Sequence, residues 1–240
     1  MIVDISKKMY LDSKGKDPDT YSKALHEYHN LLWNKKLLPN GEILFFEPFK
    51  TSPYYFYTTM SIKNITRLSS DSIIHTYSRT SWDIMNSLLE EIDKKQIKEF
   101  YDLGNTIGGY IIFPSNKIEN KFTINQARGV HQEIKDRFDL TLECIRLWYL
   151  NKGSPLYDHI EKYRNFFELF VDFKGYIDFF LLNDLVDEKY EHIKFWLPFE
   201  GFFEKRSPLP LNKSEYLDYM NKVSQFVILR NNRIAKEEKS

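Results

Sequence analysis

The run Ile107–Phe113, IGGYIIF, closed by Pro114, constrains this chain more than any other stretch. Its aromatic and β-branched residues predict a buried strand. The Gly108-Gly109 pair weakens strand propensity, which predicts a bulge or a close approach of other backbone. A polar loop, Ser115–His131, leads from this strand into a helix spanning about 132–150. That helix carries Ile134, Phe138, Leu142, Ile145 and Tyr149 on one face, and Leu140, Cys144 and Leu147 on a second. A helix apolar on two faces is covered on both. Residues 105–150 are therefore expected at the centre of the fold.

Upstream, DSKGKDPD (12–19) is dense in turn formers, and Asp19 or Thr20 is placed to cap a helix carrying Tyr21, Leu25, Tyr28, His29 and Leu32. Pro39-Asn40-Gly41 predicts a turn, with strands at Glu42–Phe46 and Tyr54–Ile62. Ser69–Ser78 reads either as a third strand or as a loop with a helical turn. From Thr80 or Ser81 the spacing of Trp82, Met85, Leu88, Leu89 and Ile92 predicts a helix that ends by Leu103-Gly104-Asn105. Downstream, Leu156–Phe170 has a helical stripe, Gly175 offers a break before Tyr176–Val186, and Lys189–Phe199 reads as a late strand. Ser214 is placed to cap a last helix over 215–234. The expected architecture is one α+β domain over 1–240, with a small mixed or antiparallel sheet in the N-terminal half packed on a mainly helical C-terminal half.

Charge and cysteine content narrow the classes of partner. Lys plus Arg equals Asp plus Glu at 34 each, so no global field draws the chain to DNA or anionic lipid, and RNA contact would need a local patch. With Cys144 alone, an intramolecular disulfide is impossible. The first residues lack a secretory apolar core. The most apolar run, Tyr176–Val186, contains Asp178 and Asp184 and is too short to span a bilayer, so the expected location is the cytoplasm. No Cys-x-x-Cys, H-E-x-x-H, phosphate loop or dinucleotide fingerprint occurs, so neither metal nor cofactor is expected.

The 115–131 loop concentrates the candidate chemistry. Lys121, Asn125, Gln126 and Arg128, between a strand end and a helix N-terminus, suit an anion such as the phosphate of a nucleotide or of RNA. His131, with Arg137 and Asp139 nearby, is placed to transfer a proton. The competing reading is a polar surface loop in which Arg128 pairs with Asp136 or Asp139. On the following helix, Asp139 and Glu143 share a face suited to a metal or a carboxylate pair, against plain ion pairs from Glu133 to Arg137 and Glu143 to Arg146.

Other clusters are weaker. Ser69-Ser70-Asp71-Ser72 with His75 lacks the G-x-S-x-G elbow of a serine hydrolase. His29 lies on an apolar stripe and reads as a hydrogen-bonded core histidine, and Cys144 reads as a packed core residue. Arg230-Asn231-Asn232-Arg233 reads as a solvated basic helix end.

The words IGGYIIFPSNKI, TINQARG, IKDRFDLTLECIR, SPLYDHIEKYRNFFELF and DFKGYIDFFLLNDL, with HEYHNLLW and LPNGEI upstream, resemble a family of uncharacterised bacterial proteins known as a domain of unknown function. The resemblance covers most of the chain. It implies a soluble bacterial protein and supplies no catalytic residue. Two functions follow as expectations. One is binding or turnover of a phosphate-bearing ligand at the 115–131 loop. The other is a non-catalytic interaction module, within a multi-gene defence or toxin-like system, that uses aromatic surface around Phe195-Trp196 and Phe202-Phe203.

Overall fold

Strands succeed one another across the sheet in the order of the sequence. They are β1 (Lys36–Leu37), β2 (Ile43–Pro48), β3 (Tyr54–Thr58), β4 (Thr66–Ser72) and β5 (Tyr110–Pro114), and every neighbouring pair is antiparallel. The computed structural model describes residues 2–48, 54–62, 66–77, 85–118, 122–204 and 206–237. Helices α1 (Met9–Asp12), α2 (Pro18–Tyr21) and α3 (Lys23–Trp33) precede the sheet. Between β4 and β5 lie α4 (Asn86–Glu90) and α5 (Lys94–Gly104). After β5 come α6 (Ile124–Val130), α7 (Phe138–Tyr149), α8 (Tyr157–Glu161), α9 (Arg164–Phe167), α10 (Phe173–Phe179) and α11 (Lys213–Glu237). The fold is thus α+β, an antiparallel sheet in the N-terminal half and helices in the C-terminal half.

Pleating explains the strands. Leu44 and Phe46 of β2 and Tyr55 and Tyr57 of β3 point inward, where Phe46 and Tyr55 stack at 4.9 Å. All five residues of β5 are buried, although it ends the strand order, so this edge is covered rather than left open to pairing. One contiguous core joins Trp33 and the inward residues of β2–β5 to Phe100, Leu142, Phe166, Phe180, Tyr219 and Val227 of the helices. No helix among the described residues is long and apolar enough to cross a membrane.

Several elements depart from the sequence reading, each for a local reason. The first amphipathic helix starts at Lys23, because Ser22 rather than Asp19 or Thr20 accepts the Leu25 N–H (3.1 Å); Asp17 caps the short α2 before it. The expected helix from Thr80 or Ser81 falls partly on 78–84, outside the described residues. Its remainder is two helices, separated where Asp93 caps α5 by accepting the Lys95 N–H. Of Ser69–Ser78, residues 69–72 are strand and 73–77 are not, while Ser78 lies outside the described residues. The expected loop 115–131 contains α6, and the helix expected from about 132 begins at Phe138, because Lys135 and Asp136 take left-handed φ values of 47° and 59°.

The stripe over 156–170 breaks into α8, α9 and a 3₁₀ turn before Val171 at φ 68°. Gly175 lies inside α10, where a Cβ would meet the Phe170 carbonyl oxygen at 2.1 Å. The expected strand over Lys189–Phe199 is reduced to a single bridge between Val186 and Ile193. Asn212, not Ser214, caps α11 by accepting the Glu215 N–H.

The Gly-Gly expectation is met. Residues 107–109 form a 3₁₀ turn, and a Cβ on Gly109 would lie 1.9 Å from the Gly104 carbonyl oxygen. A Cβ on Gly108 would lie 2.6 Å from Asn231 Oδ1, the atom that accepts the Gly108 N–H at 2.8 Å.

Candidate functional site

A pocket forms where the end of β4, the α2 turn and the α6–α7 connection meet. Asp71 sits in a strand opposite buried Ile111, an unusual place for a carboxylate. Arg128 of α6 reaches it from behind. The Arg128 guanidinium donates to Asp71 Oδ2 (2.5 Å), the Ser72 carbonyl (3.2 Å), Thr141 Oγ1 (3.2 Å) and the Asp136 carbonyl (2.8 Å), with Asp136 Oδ1 at 3.7 Å. Its side chain is 1% exposed, so it neutralises buried charge and holds α6 to β4. Of the pairings expected for it, Asp136 is found and Asp139 is not; Asp71 is added.

The other expected residues divide. Asn125 joins the Arg128 side, donating to Ser69 Oγ (3.1 Å) and the Ser70 carbonyl (3.4 Å), while its Oδ1 is buried without a hydrogen-bond partner. Gln126 is spent on the α6 capping box with Thr123. His131 closes α6, its Nδ1 accepting the Glu133 N–H (3.3 Å). Arg137 and Asp139 form a buried ion pair elsewhere, against the 196–208 segment. Lys121 lies outside the described residues. Glu143 pairs with Arg146 (2.7 Å) as expected, but Glu133 accepts the Phe203 N–H instead of pairing with Arg137.

The pocket has a volume of about 300 Å³, and its wall includes Asp17, Asp19, Asp71, Asp136, His75 and Arg128, with Tyr101 and Tyr110 beside them. His75 Nδ1 accepts the Tyr77 N–H (2.9 Å), which fixes the remaining proton of the neutral ring on Nε2, 3.8 Å from Asp136 Oδ2. Burial, then the charges of Asp71 and Asp17, push the Asp19 carboxyl well above the usual carboxylate range. Asp19 Oδ1 is buried and accepts no hydrogen bond. Burial also raises the Asp71 carboxyl, against the pull of Arg128. Asp19, raised by burial and neighbouring carboxylates, and Asp71, raised by burial but paired with Arg128, face one cavity.

Below this wall, His29 is fully buried, its Nε2 3.1 Å from Ser70 Oγ and its Nδ1 accepting the Trp33 indole N–H (3.0 Å). Burial, with Arg230 and His26 adding, lowers its pKa from 6.5 to about 3. A folded-state pKa below the unfolded value leaves the contribution of His29 intact above pH 6.5 and erodes it as pH falls toward 3. Asp19 acts with the opposite sign, so the His29 term is read as a difference. The stability advantage of wild type over His29→Gln should shrink by roughly 2 kcal/mol between pH 7 and pH 5 in urea denaturation. A constant advantage would refute the neutral buried state.

Two other features carry metal-ligating or nucleophilic groups outside this pocket. Asp187, Glu191 and His192 present ligand atoms within 4.8 Å of one another on an exposed turn, where Asp187 Oδ1 accepts the N–H groups of Glu191 and His192. Cys144 is buried in α7 and burial pushes its thiol up to about 12, which makes it a packing residue.

In the sequence, Asp17-Pro18-Asp19 reads as a turn and cap, Asp71 and His75 as a weak serine-hydrolase cluster, and Asp136 as a partner for Arg128. Their convergence on one pocket wall comes only through the fold.

Fold and site together define an α+β protein with a carboxylate-walled pocket at the end of the β4–β5 strand pair. The chain belongs to a family of unknown function, DUF6994, whose model matches residues 3–234. No curated protein and no solved structure matches it.

Proposed function

We propose that the protein is a bacterial, cytoplasmic small-molecule binder whose pocket between α2, β4 and α6 takes a compact ligand rich in hydrogen-bond donors. A polyhydroxylated amine, such as an amino sugar, fits this chemistry. The supporting observation is the Asp19 carboxyl, with Oδ1 buried and unpartnered, in a wall that also holds Asp17, Asp71 and Asp136. Carboxylate oxygens accept from hydroxyl and ammonium groups and attract the cation. Tyr101, partly exposed at the rim, adds a ring face for the apolar side of a sugar. Asp19 and the His75–Asp136 pair are available for proton transfer to the bound ligand.

A phosphate-bearing ligand, the other expectation for this region, meets carboxylates here and finds Arg128 already committed to the protein. It fits only with a divalent cation between phosphate and carboxylates.

Calorimetric titration separates the two. Glucosamine should bind wild type, and Asp136→Asn should weaken it about tenfold, the loss of one charge-assisted hydrogen bond. Asn tolerates the left-handed backbone at 136 and Asp71 still pairs with Arg128, so the variant should stay folded with a modestly lowered melting temperature. A nucleoside monophosphate that binds without magnesium while glucosamine does not would refute the proposal.

A further inference from the structure

A second cavity is lined in part by Arg137, and its chemistry differs from that of the first. It has a volume of about 340 Å³ and is lined by Leu140, Phe199 and Phe202, with Glu133, Glu200 and Glu204 around them. Phe199 and Phe202 form its apolar wall with ring centroids 4.9 Å apart, and Phe195, outside the lining, meets Phe199 at 4.5 Å.

Phe203 stands beside this wall, 79% exposed, with φ at 75°. A left-handed backbone is unfavourable for a bulky residue. It is retained here with the Phe203 N–H donating to Glu133 Oε1 at 2.8 Å. The bond leaves the largest exposed ring of this segment in solvent, against the tendency of apolar surface to be covered.

Charge sets what can cover it. Both arginines at the cavity are engaged within the protein: Arg137 with Asp139 and the Pro208 and Leu197 carbonyls, Arg206 with Glu215 at 2.8 Å. The glutamates around the cavity thus outnumber free cations among the described residues. An aromatic wall under carboxylates favours a cation carried on an apolar stem, through ring faces and charge together. Phe203 extends the apolar surface past the cavity, beyond what a small ammonium ion covers.

We infer that the Phe199–Phe203 groove docks a segment of a partner protein that presents arginine or lysine next to a large apolar residue. The basic side chain enters the cavity between the rings and the glutamates, and the apolar neighbour packs on Phe203. This site is separate from the α2–β4–α6 pocket and does not depend on the reading given for it. It belongs to the class of interaction surface that the aromatic clusters of the sequence suggest. Trp196 is excluded from it, being 2% exposed and packed on Tyr219 and Phe226.

Fluorescence anisotropy with labelled hexapeptides tests the inference on the full chain. A peptide alternating leucine and arginine should bind, and its leucine–glutamate counterpart should not. Phe203→Ala and Glu204→Gln, both at exposed positions, should each weaken binding at least tenfold while the melting temperature stays within a few degrees of wild type. Raising salt from 50 to 500 mM should weaken it further, since the steering charges are at the surface. Equal binding of both peptides, no binding of either at millimolar concentration, or unchanged affinity in both variants would overturn the inference. So would displacement of the peptide by tetramethylammonium at low millimolar concentration, which would assign the cavity to a free small cation.

Discussion

Replacing Arg230 by alanine is expected to lower folding stability by about 3–5 kcal/mol, a large part of the 5–15 kcal/mol available to a domain. Arg230 is fully buried in α11, and no carboxylate pairs with it among the described residues. Its Nε donates to the Phe180 carbonyl at 3.2 Å, and one terminal nitrogen donates to the carbonyls of Gly108 and Tyr110 at 3.0 and 2.6 Å. Burial without a counter-charge lowers its pKa to about 9, so the charge itself is a cost. The three carbonyls it satisfies outweigh that cost, because each would otherwise be a buried orphan acceptor. Alanine orphans all three and leaves a cavity. Arg230→Met fills the volume and removes the charge but satisfies no carbonyl, so it should fall between wild type and alanine. Urea denaturation of the three proteins gives the order directly, and an alanine variant within 1 kcal/mol of wild type would show that Arg230 does not tie α11 to the 108–110 turn.

Arg230 also marks where sequence reasoning stops. Arg230-Asn231-Asn232-Arg233 looked like a solvated basic end, and Arg233 does sit near the surface against Asp184 (2.6 Å). Yet Tyr216, Tyr219, Val223, Phe226 and Val227 form a buried stripe, and Arg230, Asn231 and Ile234 continue it at the same helical spacing. The period was legible; residue type overrode it. The polar composition of 115–131 likewise hid the Thr123-x-x-Gln126 capping box that starts α6. Strand, turn and glycine signals served better, because they depend on local geometry: the β5 strand, the Pro39-Asn40-Gly41 turn and the close approach at Gly108-Gly109 all have local causes. The pocket wall was illegible for the opposite reason. Asp19, Asp71 and Asp136 are far apart in sequence and meet only through the pairing of β4 with β5 and the packing of α6.

The Arg137–Asp139 pair should show strong coupling in a double-mutant cycle. Both side chains are buried, and Arg137 donates through Nε to Asp139 Oδ1 (3.1 Å) and through a terminal nitrogen to Oδ2 (2.5 Å). Asp139 Oδ2 also accepts the Trp196 N–H (2.9 Å), and Arg137 donates to the Pro208 carbonyl (3.0 Å). The pair thereby fixes the start of α7 to the chain segment that forms the Phe203 groove. Removing one partner leaves the other as an uncompensated buried charge, so Arg137→Met or Asp139→Leu alone should cost about 3–5 kcal/mol. In the double variant no charge remains to be solvated, and apolar side chains fill much of the volume. It should therefore be destabilised by less than the sum of the single changes, with at least about 2 kcal/mol of coupling. Simple additivity would mean that the two charges are solvated independently. Any direct role of the pair in the α2–β4–α6 pocket is tested in the same variants: if the pair works only through folding, glucosamine affinity should be unchanged in whichever variants remain folded, whereas a direct role would lower affinity at unchanged stability.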